Sequence, residues 1–355
     1  MSALATTLLL VSLADDLLPP APTSARRADP PPAPIAPAVV VFPGPAMGTR
    51  YSVQVVMNAG DAAAKQRVQA AIDRELALVD RLFSKWNPES ELCRFNAHGS
   101  CEPFAVSAGM VEAVLIAGRA AERTGGAFDA TVAPLVEAWG FGPGGRPPAT
   151  PSADVVAAAR ARVGQALLSA DPARLTIRKA RPDVAIDLDG LAGGWLADRI
   201  AAALATLGYT DALVDAGGEL AARGHGANGG HWRVAVESPP GAGRAKAPVI
   251  DLDDTSVATS GDYRKFWTDD EGRRRSHIID PRTGQPIAHG LASATVVHAD
   301  GAWADAIGTA LLVLGPADAR AFAMREHLAV RLVERLPDGS WAEWSTPSFD
   351  ALAGR

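Results

Sequence analysis

At 355 residues with 48% hydrophobic composition, the chain carries enough apolar material for one large core or two ordinary domains. A formal net charge of -6, with Arg273-Arg274-Arg275 as the only basic cluster, argues against nucleic acid or an anionic membrane surface as a partner. The two cysteines, Cys93 and Cys101, leave a small disulfide loop and a pair of free thiols equally open, and without a third Cys or a His at ligand spacing they make no zinc site.

In chain order, residues 1–18 hold an apolar stretch, Leu8-Leu9-Leu10-Val11, that is too short to cross a bilayer and is interrupted by Asp15-Asp16. With no Lys or Arg at its start it is a weak, atypical leader. Residues 19–41 form a Pro/Ala-rich tract that reads as an extended tether, and residues 42–350 form the folded domain.

Val39-Val40-Val41-Phe42 and Tyr51 to Met57 read as strands around a turn at Gly44 to Thr49. Residues 62–83 show helical periodicity, with Val68, Ile72, Leu76 and Val79 on one stripe. Ser107 caps a second helix that ends at Gly125-Gly126. A Gly/Pro-rich surface stretch precedes a short helix, and residues 167–177 and 185–188 read as strands. A helix over 191–207, strands at 212–214, 232–237 and 294–297, a helix over 303–314 and a further short helix after Pro316 follow. A closing hairpin turns at Pro337-Asp338-Gly339. This order predicts an α+β, or mixed α/β, fold with mixed sheets and packed helices.

Asp305 and Thr309 stand four residues apart at the start of the apolar pattern Ala306, Ile307, Ala310, Leu311, so both oxygens share a helix face. Hard oxygen ligands at that separation suit magnesium, whereas Asp305 as an ordinary helix-start carboxylate is the simpler alternative. Other groups collect where strands and helices end. Met47 precedes Gly48. Trp86 follows a helix, where it serves either as a rim packing group or as a stacking platform. Gly126-Ala127-Phe128-Asp129 is a turn that exposes N–H groups, with Asp129 able to accept from a base or ribose. Asp187-Leu188-Asp189-Gly190-Leu191-Ala192-Gly193-Gly194 runs into a helix whose positive end suits phosphates, although it is not a dinucleotide fingerprint.

The ordered set Ala46 to Thr49, Ser84 to Asn96, Gly126 to Thr131, Asp187 to Asp198, Asp215-Ala216-Gly217-Gly218-Glu219, Ser260 to Tyr263, His277 to Pro286 and Ala304 to Leu314 resembles the ApbE family, the FAD:protein FMN transferases. The resemblance spans about residues 42 to 325. It implies an ApbE-like, T-fold-related architecture and transfer of FMN from FAD to a Thr or Ser hydroxyl of an acceptor protein, with release of AMP. By motif match it implies Mg2+ ligands at Asp305, Thr309 and the main-chain oxygen of Gly190. It implies FAD contacts at Met47, Trp86, Ala127, Phe128, Asp129, Gly193 and Ile278. His277 is the expected general base, an imidazole neutral enough near pH 7 to accept a proton, and Asp305 acts with it in catalysis.

The chain departs from the family at two positions: Trp86 replaces a common Tyr and Gly193 replaces a Lys or Glu. The first should keep the stacking, and the second removes a side chain beside the cofactor and alters its contacts. Two other activities stay open: an FAD-binding protein without turnover and a Mg2+-dependent FAD pyrophosphatase that yields FMN and AMP. The implied acceptor is a respiratory or electron-transfer subunit. The expected location is the periplasm, with possible association with the periplasmic face of the inner membrane.

Overall fold

A computed structural model describes residues 37–144, 149–242 and 247–353; the leader and nearly all of the tether lie outside the described residues. Its centre is an eight-stranded sheet made of Ala38–Ala46, Thr49–Met57, Ala212–Ala216, Leu220–Arg223, Ser256–Gly261, Leu291–His298, Ala329–Arg335 and Trp341–Ser345. The strands lie side by side in chain order, and every neighbouring pair is antiparallel. A wholly antiparallel sheet with segregated helices makes the fold α+β. The first strand starts at Ala38, within the last residues assigned above to the tether, because Val39 to Val41 pair with Gln54 to Val56.

The helices are α1 (Ala62–Phe83), α2 (Glu91–Ala97), α3 (Ala108–Arg123), α4 (Ala133–Ala138), α5 (Ala153–Arg160), α6 (Asp189–Thr206), α7 (Gly301–Arg325) and α8 (Pro347–Ala353). Six of them, α1 to α6, belong to the excursion between the second and third strands of the sheet. Alternation along the strands assigns the two faces. Val53, Val55 and Val214 enter the main core with α1, α6 and α7, while Leu213, Ala222 and Val257 enter a smaller core closed by the hairpin Trp232–Ala235/Val249–Leu252 and by Phe349 of α8. A third cluster joins Leu135 and Trp139 to Val156 and Ile279.

Several sequence expectations change. Residues 167–177 are not one strand: Leu168–Asp171 and Thr176–Lys179 form a hairpin that reverses at Leu175, where φ is 50°. Residues 185–188 alternate in burial but join no sheet. Their backbone is held by Asn96, which accepts from Ile186 N and donates to Ile186 O, both at 2.8 Å, and by Asp187 N donating to Ala130 O at 2.7 Å. The helix read as starting near 303 begins at Gly301, capped by Asp300, which accepts from Trp303 N at 2.9 Å. Asp305 is therefore a full turn inside the helix. The two helices expected around Pro316 are both present as the two halves of α7, separated by a break at Gly315, where φ is 78°. Cys93 and Cys101 are free thiols, so the disulfide alternative is not formed.

Candidate active site

The site is built where α6 crosses α7. The crossing is set by glycines: a Cβ on Gly194 would stand 2.0 Å from the Gly301 carbonyl oxygen. With no side chains between them, the helices come close enough for Gly194 N–H to donate to Asp305 Oδ2 at 3.1 Å. In a regular helix that N–H bonds the carbonyl of Gly190. One turn further along, a Cβ on Gly190 would lie 3.1 Å from the Phe128 ring and 3.2 Å from Thr309 Oγ1. Thr309 also exchanges a hydrogen bond with Ser260 Oγ at 3.3 Å. The structure thus gathers Gly190, Asp305, Thr309 and Phe128 from three separate segments. Gly190 lies in the first turn of α6 rather than in a loop.

A second carboxylate completes the pair. Glu219 leaves the turn at Gly217-Gly218, and its Oε2 stands 2.6 Å from where a Cβ on Gly193 would be. Asp215 shapes that turn by accepting from Gly218 N at 2.8 Å. The space left by the missing side chain at Gly193 is therefore filled by Glu219. Motif spacing quoted Glu219 without giving it a role, because only the folded chain brings it to α6. The Met47-Gly48 hairpin tip lies close by, since a Cβ on Gly217 would meet the Thr49 methyl at 2.8 Å.

The electrostatics follow from burial. Asp305 is 6% exposed, and burial foremost raises its pKa well above the usual carboxylate range; the Gly194 and Gly193 amides oppose this and the Asp189 charge adds to it. Burial foremost, then the Asp305 charge, raises Glu219 likewise. Neither forms an ion pair among the described residues. A cation does serve the mouth of α6: Lys85 Nζ bridges Asp187 at 3.0 Å and Asp189 at 2.6 Å. Burial is the largest single influence on Lys85 and disfavours its charge, but the two carboxylates together outweigh it and raise its pKa. Lys85 carried no local signal, because its partners come about a hundred residues later in the chain.

The expected flavin contacts divide into wall and rim. Ala127, Phe128 and Ile278 are buried, whereas Met47 is 51% and Trp86 69% exposed. Trp86 directly follows Lys85 and so stands at the rim of the Asp187/Asp189 cluster. Asp129, expected to accept from a base or ribose, is occupied within its own turn: it accepts from Thr131 N at 2.8 Å and Thr131 Oγ1 at 2.6 Å. Burial foremost raises its pKa. It lines a cavity of about 820 Å3 with Gly126, Arg160, Gln165 and Arg282.

His277 is partly buried, edge-on to Phe141 with ring centres 6.2 Å apart. Its Nδ1 lies 2.9 Å from the Lys265 carbonyl oxygen, which can only accept. Nδ1 therefore carries the proton, and Nε2 keeps a free lone pair. Burial foremost, helped by the charges of Lys265, Lys85 and Arg274, lowers its pKa to about 4, so the ring is neutral at physiological pH.

Two acids with raised pKa, Asp305 and Glu219, held together where α6 crosses α7, mark the candidate active site of an enzyme. Residues 47–332 match the ApbE family. The chain is 38% identical over 320 residues to the FAD:protein FMN transferase of Klebsiella pneumoniae, covering 90% of each. It is 37% identical over 318 residues to that of Escherichia coli, covering 88% of this chain and 89% of the relative. It resembles the solved flavin transferase ApbE from Vibrio cholerae with a TM-score of 0.81 at 37% identity, over 89% of this chain and 99% of that one. The apo Pseudomonas stutzeri flavinyl transferase ApbE gives a TM-score of 0.82 at 37% identity, over 90% and 98%. This chain is a member of the ApbE family.

Proposed function

We propose that this chain transfers FMN from FAD to a Thr or Ser hydroxyl of an acceptor protein as a phosphoester and releases AMP. The reading is carried by the buried carboxylate Asp305 and the half-buried Glu219, gathered beside Thr309 without an ion pair among the described residues. Acids with raised pKa in such a place are functional-site candidates. The donor set is oxygen only, which suits Mg2+ over softer ions. Asp305, Thr309 and the Gly190 carbonyl are the groups to hold it, with Glu219 adding charge where Gly193 has no side chain. Bound there, the ion would neutralise charge on the diphosphate of FAD.

The remaining work falls on the chain itself. Ala127, Phe128 and Ile278 form an apolar wall, and Met47 and Trp86 offer exposed surfaces for the flavin ring. His277 Nε2 accepts the proton of the attacking hydroxyl; a new O–P bond forms to the FMN phosphorus, the diphosphate P–O bond breaks, and AMP leaves with the electron pair.

The test incubates the full chain with FAD, Mg2+ and a target bearing an Asp/Ser-x-x-Thr-x-Ala-Thr acceptor sequence, and reads in-gel flavin fluorescence and AMP. Fluorescent target with stoichiometric AMP is the expected result. AMP alone would replace transfer with FAD hydrolysis, and neither product would leave a flavin-binding protein. The acceptor in this reading is an electron-transfer subunit at the periplasmic face of the inner membrane. Cell fractionation with mass spectrometry of the mature N-terminus tests that placement; a cytoplasmic chain retaining Met1 would overturn it.

A further inference from the structure

The strand Leu220–Arg223 carries Glu219 at one end and His225 at the other. At some 3.3 Å per extended residue the two ends are on the order of 15–20 Å apart, so His225 belongs to a different part of the surface from the Asp305 site. There, donor atoms of His225, His231 and Asp253 all lie within 4.8 Å of one another, and all three residues are exposed. We propose that these residues form a second metal site, one for a first-row transition ion of the Zn2+ class.

The donor chemistry selects the ion. Two imidazole nitrogens and one carboxylate oxygen suit Zn2+, Ni2+ or Cu2+ and disfavour Mg2+, which prefers oxygen and octahedral geometry. Tetrahedral zinc, with ligand bonds near 2.0–2.1 Å, sets its donors about 3.3 Å apart. The rotation of exposed side chains by an ångström or so closes the remaining gap. Three protein ligands leave the fourth position open to water or to an outside group.

The backbone holds this arrangement without using the ligands. Gly226 N donates to Gly230 O and Gly229 N to Gly226 O, both at 2.8 Å, which folds the Gly-rich segment between the two histidines back on itself. The resulting hairpin sets the imidazole rings 5.9 Å apart, tilted by 32°. His225 N donates to Asp211 Oδ1 and Gly224 N to Asp254 Oδ1, both at 2.9 Å. Asp254 adopts a φ of 47° in the turn that also carries Asp253, so that turn is tied to the histidine loop through main-chain donors. All three ligand side chains remain uncommitted to the loop itself.

The test is Zn2+ titration of the full chain by calorimetry in millimolar Mg2+, which keeps the Asp305 centre out of the competition, with Co2+ as a visible-absorption probe of coordination geometry. The wild-type chain should take one equivalent of Zn2+ and give the intense d–d bands of tetrahedral Co2+. His225→Ala and His231→Ala should each weaken Zn2+ binding at least tenfold. The double variant should lose the equivalent and the cobalt spectrum, and Asp253→Asn should weaken binding less. FMN transfer should be the same in all of these variants. Equal Zn2+ stoichiometry in wild type and double variant, or no Zn2+ bound by the wild type, would overturn the assignment.

Discussion

Replacing Asp305 with Asn separates the chemical role of that residue from any role in folding. The amide oxygen can still accept from Gly194 N, which lies 3.1 Å from Asp305 Oδ2, so the contact between α6 and α7 is kept while the charge is removed. The carboxyl pKa is raised in the fold, so its contribution to stability is present at low pH, below the ordinary carboxylate value, and is lost as pH rises through the raised one. At pH 8 without metal the wild type therefore carries a buried charge that the variant lacks. Relief of such functional-site strain is typically worth about 0.5–2 kcal/mol. At about 2.1 cal/mol/K per residue, a folded domain of about 310 residues shifts by about 1.5 °C per kcal/mol, so Tm rises by roughly 1–3 °C. Adding Mg2+ at a hundred times its Kd should stabilise the wild type by about 2.7 kcal/mol and leave the variant unmoved. Scanning calorimetry with and without Mg2+, beside the AMP assay, gives all three readings. A metal-free variant less stable than wild type by more than 2 kcal/mol would make Asp305 a structural residue. Retained Mg2+ stabilisation, or retained AMP release, would remove it from the metal site.

The remaining predictions address the support around it. Gly194→Ala would put a methyl group 2.0 Å from the Gly301 carbonyl, which cannot move without shifting α7; a loss of about 3 kcal/mol or more in urea unfolding is expected, and a loss under 1 kcal/mol would mean that the crossing is not set there. Lys85→Met should leave Asp187 and Asp189 unpaired and destabilise the chain by about 2–4 kcal/mol at pH 7, with part of that loss recovered in acid as Asp189, whose pKa burial foremost raises, takes up a proton; a pH-independent loss would point to packing alone. His277 should titrate near 4 by NMR, not near the free-imidazole value of about 6.5. Its contribution to stability is present above about 6.5 and falls away as pH drops toward 4, because over that range only the unfolded chain takes up the proton. His277→Gln should flatten that acid limb and abolish transfer while FAD remains bound; normal transfer by the variant would exclude His277 as the base.

The parts of the fold legible in the sequence were those governed by local rules. α1 occupies the predicted span because Asp61 caps Ala64 N at its start and the chain turns extended at Ser84. Asp305 and Thr309 were found together because four residues of helix place them on one face, and Gly190 joined them through motif resemblance. Residues 185–188 misled because their alternating burial is that of a strand, whereas the partner that pairs with them is the side chain of Asn96. Glu219 and Lys85 were missed as site residues for one shared reason: each meets its partners across a long sequence separation. Glu219 reaches α6 only because Gly193 leaves it room, and that vacancy exists only once α6 lies against the Gly217-Gly218 turn.

The order of the central sheet bears on when the protein can begin to act. Thr49–Met57 pairs with Ala212–Ala216, so the ribosome must deliver the whole intervening excursion before that rung of the ladder can close. Phe128, Lys85 and Gly190 arrive within the excursion, but Asp305 and Thr309 emerge only with α7, some 260 residues after Met47. A chain that stops short of α7 therefore lacks Asp305 and Thr309, the two side chains to which the proposed diphosphate grip is assigned. On the proposed function, transfer therefore needs nearly the whole chain, and a product truncated before α7 should release no AMP from FAD.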